Sequence, residues 1–189
     1  EGVPYAVLVL VGLLPWQLFA SAFTEAGASV VSNAGVIAKV YFPRLIVPVS
    51  ALGASLVDFL IALALLGLVM AWYGHVPDWR MATLPLFVLV AVAAALGAGV
   101  WTAALNVRYR DVRYIVPFLV RLGLYVSPVG FISGVVPEKW RLFYNLNPMV
   151  AVIDGFRRCI LGPDFPIYWP GLCLSVLVTT LVLVSGAFY

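Results

Sequence analysis

The sequence predicts an all-α integral membrane protein with five transmembrane helices and short re-entrant helices. Three observations carry this. Of 189 residues, 64% are hydrophobic and only 10% are charged, whereas soluble domains run about half apolar and about a quarter charged. So few charges do not cover a surface in water. The charges also fall in clusters, leaving five stretches of about 20 residues or more, the length an α-helix needs to cross a hydrocarbon core of about 30 Å. Finally, runs such as LVDFLIALALLGLVM are apolar all round, unlike the alternating segments of about ten residues that build a β-barrel. A soluble globular domain, a disordered chain and a nucleic-acid-binding module are excluded on the same grounds. The net charge of +3 resides in loops between apolar stretches.

The spans follow in order. Residues 5–23 lie in the charge-free interval between Glu1 and Glu25. Residues 48–72 lie between Arg44 and Asp78, with Asp58 the one charge inside. Residues 81–105 contain none. Residues 114–132 lie between Arg113 and Glu138, interrupted only by Arg121. Residues 169–189 follow Asp164, the last charged residue. Trp16, Trp72, Tyr73, Trp79, Trp140, Tyr168 and Trp169 stand at or near span boundaries, where amphipathic rings favour the headgroup level. Pro15 and Pro117 fall inside spans, where a missing backbone donor predicts a kink or break. Cys159 and Cys173 are too few for a disulfide framework. His75, the one histidine, has no second ligand nearby, so no metal site is expected.

Five spans put the two ends on opposite sides. Lys39, Arg44, Arg108, Arg110 and Arg113 fall on one side; Arg80, Lys139, Arg141, Arg157 and Arg158 fall on the other. The count is level, but three arginines crowd one short loop, and that density favours the first side as cytoplasmic. The connection 133–168 carries helical material. Pro137 and Glu138 open one helix; Asn147 as N-cap with Pro148 at the first helical position opens a second, which Gly162-Pro163 stops. Neither is long enough to span. A re-entrant hairpin is the favoured reading, with an amphipathic pair lying flat in the interface as the alternative.

Six stretches resemble the permease subunit of type-2 ABC exporters, in the branch that exports polysaccharides such as O-antigen, capsule and teichoic acid. They are GLLPWQLFASAF, SNAGVIAKVYFPRLIVPVSAL, LVDFLIAL, ALNVRYRDVRYIVPFLV, SPVGFISGVVPEKWR and NLNPMVAVIDGFRRCILG, in the family's order and over nearly the whole chain. The resemblance implies a six-span half-transporter in the bacterial inner membrane, a homodimer, a separate ATP-binding subunit and a lipid-linked polysaccharide substrate. It also implies that the family's N-terminal amphipathic helix, first span and C-terminal tail lie outside this sequence. The loops 24–47 and 106–113 are then cytoplasmic.

No G-x-x-x-x-G-K-[ST] phosphate loop occurs in the chain. The permease is therefore expected to be non-catalytic and to hold no cofactor, with ATP bound by its partner. Coupling needs a rigid cytoplasmic element, and residues 32–44 fit: Asn33 as cap, Val36 and Val40 as apolar contacts, Lys39, Tyr41, Phe42 and Arg44 following, and Pro43 as terminator. By resemblance this is the coupling helix. Arg108, Tyr109, Arg110, Asp111 and Arg113 form a second cytoplasmic feature, open to contact with the ATPase or with membrane lipid headgroups, or to a role in topology alone. Asp58 and Arg121 are intramembrane charges, which are costly and are functional candidates by default. They are expected to pair or to face the path near substrate phosphates, an arginine suiting a pyrophosphate-linked lipid; snorkelling and bonding to a neighbouring helix are the alternatives. Trp16, Phe19, Phe23, Phe118 and Tyr125 are candidates to line the passage by stacking on sugar rings, against ordinary packing. Pro137, Glu138, Asn147, Pro148 and Arg157 would form the outer gate by resemblance, although an arginine at a helix end also favours the negative end of the dipole.

Three other functions weigh less. A type-2 ABC exporter of drugs or other small molecules shares the fold. A secondary transporter or channel would favour inverted repeats, and none is visible. A membrane enzyme would need paired acids or an activated nucleophile.

Overall fold

The computed structural model describes residues 5–37, 46–73, 79–109 and 111–188. They form eight α-helices: α1 (Tyr5–Ser32), α2 (Ala34–Ile37), α3 (Ile46–Trp72), α4 (Leu84–Arg108), α5 (Val112–Val126), α6 (Glu138–Tyr144), α7 (Pro148–Leu161) and α8 (Trp169–Phe188). Short 3-10 turns precede α4, at Trp79–Thr83, and follow α5, at Ser133–Val135. No strand occurs among the described residues.

Four helices are long and apolar enough to cross a membrane: α1, α3, α4 together with its 3-10 lead-in, and α8. The chain is therefore a multi-pass all-α membrane protein. The fifth expected span is α5, and it is shorter than expected. Its 15 residues rise about 22 Å, below a hydrocarbon core of about 30 Å. It stops at Val126 because Ser127 turns extended ahead of Pro128, and a residue before proline is driven out of the helical region. Pro15 and Pro117 break nothing: α1 and α5 run through them. Glu25 does not end α1 either. The helix continues to Ser32, and the Glu25 carboxylate accepts from Ser55 Oγ of α3 at 2.9 Å.

α1 packs against α3 on one side and α4 on the other, and α8 packs against α4. The main core joins Val11, Leu14 and Leu18 of α1, Phe59 and Leu66 of α3, Phe87 of α4, and Ile153 and Phe156 of α7. Phe59 and Phe156 meet edge to face at 6.1 Å. A smaller core of Ala22, Phe23, Leu52, Ala95 and Val116 lies between the same spans and α5. In lipid, helix association depends on close van der Waals contact, which small residues permit. α4 presents such a stripe, with Ala91, Ala94, Ala95, Gly97, Gly99 and Ala103 buried. At Gly97 the approach of α8 is so close that a Cβ would lie 2.9 Å from the backbone nitrogen of Leu183.

The outward faces of α3 and α8, including Val57, Leu60, Ile61, Leu65, Leu177 and Leu181, are exposed and apolar, as a lipid-facing surface is. Trp72, Trp79, Trp140 and Trp169 are exposed at helix ends, which fits an aromatic belt. Trp16 does not belong to that belt; it is buried midway along α1.

Candidate functional site

α5 is strongly amphipathic. Val116 is its one buried residue, with Val120 and Leu124 partly packed against the cores. Tyr114, Phe118, Arg121 and Tyr125 are all exposed. Their spacing of four, three and four residues puts them on one helical face. A single guanidinium thus stands within a stripe of three aromatic rings on the exposed face of the helix. In the sequence Tyr114 opens the span 114–132, and the helical period alone places it in this stripe.

The aromatic residues of α1 behave differently. Trp16 and Phe23 are buried and Phe19 is half-buried. Trp16 and Phe19 lie 5.5 Å apart between centroids, and Phe19 stacks on Phe23 at 5.7 Å. Gly123 of α5 admits the indole: a Cβ there would come within 2.7 Å of Trp16 Cη2. Within the chain the α1 ladder is packing beneath α5, and of the candidate passage rings the exposed ones, Phe118 and Tyr125, belong to α5.

Asp58 and Arg121 do not pair within the chain. Both side chains are exposed, they sit on helices separated by α1, and no ion pair joins them among the described residues. Asp58 lies about 18 Å along α3, and Arg121 about 14 Å along α5. Asp58 is flanked on its face by Ile61 and Leu65, both exposed and apolar, in contrast to the aromatic setting of Arg121.

On the expected cytoplasmic side, α1 and α2 lead toward the coupling segment. Asn33 stands between α1 and α2. Its carboxamide nitrogen donates to the Ser29 carbonyl at 2.8 Å, closing the end of α1, where carbonyls lack helical partners. Lys39, Val40, Tyr41, Phe42, Pro43 and Arg44 lie outside the described residues, as do His75 and Arg110, and of Val36 only the backbone is described. Two polar links bind the spans near this end, Ser55 to Glu25 and Asn106 Nδ2 to the Gly27 carbonyl at 3.2 Å. In the α4–α5 connection Arg108, Tyr109, Asp111 and Arg113 are exposed, and the Arg108 guanidinium lies 5.6 Å from the Tyr109 ring centroid.

On the other side the α6–α7 hairpin divides between the two readings of the sequence. Eleven of the 14 residues of α7 are buried, against α1, α4 and α8. It is inserted among the spans and does not lie flat. α6 has no buried residue and exposes Trp140, Leu142 and Phe143, as an interfacial helix does. Pro137 and Glu138 are exposed at its start. Asn147 caps α7 as expected, its Oδ1 accepting from the Met149 amide at 3.1 Å, while its Nδ2 donates to Ser127 Oγ at 2.9 Å. Pro148 follows at the first helical position, and Gly162 ends the helix with φ 108°, a conformation only glycine adopts freely.

Arg157 is not at a solvated helix end. It is fully buried, and its guanidinium donates to the carbonyls of Phe131 at 2.8 Å and Val129 at 2.9 Å. Its neighbour Asp154 faces a cavity of about 160 Å³ lined also by Ser133, Arg141 and Asp164. Burial pushes the Asp154 carboxyl above the usual carboxylate range, while the Ser133 hydroxyl and the Arg157 charge oppose that rise.

Spanning helices packed through small residues, with a shorter helix buried among them, define a multi-pass membrane protein. Residues 3–161 match the family described as ABC-2 type transporter, and the chain belongs to that family. Its relatives include a protein of Klebsiella pneumoniae named O-antigen export system permease protein RfbA, 28% identical over 180 residues that make up 91% of this chain and 69% of the relative. A protein of the same name from Myxococcus xanthus is 27% identical over 187 residues, 98% of this chain and 72% of the relative.

Proposed function

We propose that this chain is the transmembrane subunit of an exporter that carries a lipid-linked polysaccharide of the O-antigen type across the bacterial inner membrane. The observation that carries the reading is the likeness, along nearly the whole chain, to permeases named for O-antigen export. The chain supplies the passage and a separate ATP-binding subunit supplies the energy. That subunit docks at the cytoplasmic connection between α1 and α3, which includes Lys39, Val40, Tyr41 and Arg44.

Two copies of the chain enclose the passage, and α5 faces it. A helix whose outward face carries Tyr114, Phe118, Arg121 and Tyr125 is poorly suited to face lipid alone, because an intramembrane guanidinium is costly there. In a water-filled passage the same face has clear uses. Aromatic rings offer equivalent contacts to successive sugars, and Arg121 offers a planar fork to the linking phosphates. Packing keeps the face in place: Trp16 seats against Gly123 and fixes the rotation of α5. Asp58, on the apolar outer face of α3, plays no part in this passage.

Removing the gene tests the reading. The deletion strain is expected to lose its surface glycan and to retain the lipid-linked precursor at the cytoplasmic face, and reintroducing the gene restores export. Unchanged surface glycan in the deletion strain would refute it.

A further inference from the structure

The chain leaves helical geometry directly after α5, over residues 127–132. Carbonyl groups there lose their helical partners, and in a membrane such groups need others. Side chains from three different elements supply them. Tyr144 Oη of α6 donates to the Val126 carbonyl at 2.7 Å, and Tyr5 Oη of α1 donates to Gly130 at 2.9 Å. Arg157 of α7 takes both Val129 and Phe131. Asn147, the cap of α7, holds Ser127 Oγ as well. Gly12 of α1 makes the room, since a Cβ there would lie 3.0 Å from the Val129 carbonyl oxygen and 3.1 Å from Arg157 Nη2.

We propose that Arg157 is a positioning residue that fastens the outer end of α5 to the α6–α7 hairpin, so that the two move as one body during transport. Its two nitrogens bridge carbonyls two residues apart and fix the path of the turn as well as its position. Because α7 is itself buried against α1, α4 and α8, the outer end of α5 is anchored to the protomer core. The rest of α5 has apolar packing alone, at Val116, Val120 and Gly123, and among the described residues no such polar fastening. Movement of the passage-facing stripe therefore pivots about the outer end, and the hairpin does not open independently of α5. The functional meaning of this anchor rests on the reading of α5 as the passage helix.

The test uses the full permease in complex with its ATP-binding subunit, with Cys173, the exposed cysteine, replaced by serine. Cysteines at Val126 and Phe143, both exposed, are bridged by a short flexible bifunctional reagent. If α5 and the hairpin move together, the bridged complex exports and hydrolyses ATP within about twofold of the unbridged one. Arg157→Met is expected to hydrolyse ATP but to export at least about tenfold less, the scale of losing charged hydrogen bonds, and Arg157→Lys to recover part of the loss. The bridge is expected to restore export to Arg157→Met. Loss of export in the bridged wild-type complex overturns the proposal, as does normal export by Arg157→Met. An export defect in Arg157→Met that the bridge leaves unrepaired reduces Arg157 to a residue of folding and likewise overturns it. Should Arg157→Met fail to accumulate, the bridged wild-type complex decides alone. A wild-type complex that exports no glycan in any form contradicts the export reading, separately from the anchor.

Discussion

Replacing Gly97 by alanine should destabilise the protein, although alanine is the better helix former. Two effects compete. Within a helix, alanine is favoured over glycine by roughly 0.5–1 kcal/mol through backbone entropy. At Gly97, however, the new Cβ would lie 2.9 Å from the backbone nitrogen and 3.0 Å from the Cα of Leu183. Backbone atoms cannot swing aside as a side-chain tip does, so α8 must shift, and overpacking of this kind typically costs about 1–3 kcal/mol. The steric effect outweighs the entropic one. Gly53 of α3 is the control, since a Cβ there meets nothing within 4 Å. Gly53→Ala should be neutral or slightly stabilising; the entropic gain is common to both variants, so the steric cost of about 1–3 kcal/mol is what separates them. Reversible unfolding of the purified protein in mixed micelles measures that separation. Equal stability of Gly97→Ala and Gly53→Ala would refute the claim that α4 and α8 meet backbone to backbone.

Three further outcomes follow from the geometry. Arg121→Gln should lower export about tenfold or more while leaving stability within about 0.5 kcal/mol, because the side chain is exposed; a fall in stability of about 1 kcal/mol or more would show it to be a packing residue. Asn147→Ala removes both the cap on Met149 and the bond to Ser127, and should cost about 1–2 kcal/mol in the same unfolding assay, whereas Asn147→Asp keeps the cap. Ser55→Ala leaves the Glu25 carboxylate without its donor from α3 and should cost about 1–3 kcal/mol, most of it recovered when Glu25→Gln is added.

The spans were legible because charge is so costly in hydrocarbon that its positions nearly outline the fold. The gaps after Arg80 and Asp164 became α4 and α8 within a few residues. Hydropathy misled where a local rule overrode it. The apolar run Val129, Phe131, Ile132 reads as more span, yet Pro128 ends the helix before it. Glu25 reads as a boundary, yet Ser55, 30 residues away, lets α1 pass. The start of α7 was legible in full, since Asn147-Pro148 is a local signal. The role of Arg157 was not, because its partners are carbonyls 26 and 28 residues distant. The same limit applies to Trp16: its burial depends on the absence of a side chain at Gly123. Of the candidate passage residues, those on α5 kept their exposure because one helical period orders them.

The proposed transport is the movement of a lipid-linked glycan from one leaflet to the other by this chain, driven by an ATP-binding partner. Inverted membrane vesicles carrying the complex and a labelled lipid-linked glycan measure this directly. On addition of ATP the glycan is expected to become protected from an external lectin, and vesicles lacking the permease should show no protection. Equal protection with and without the permease would contradict transport by this chain.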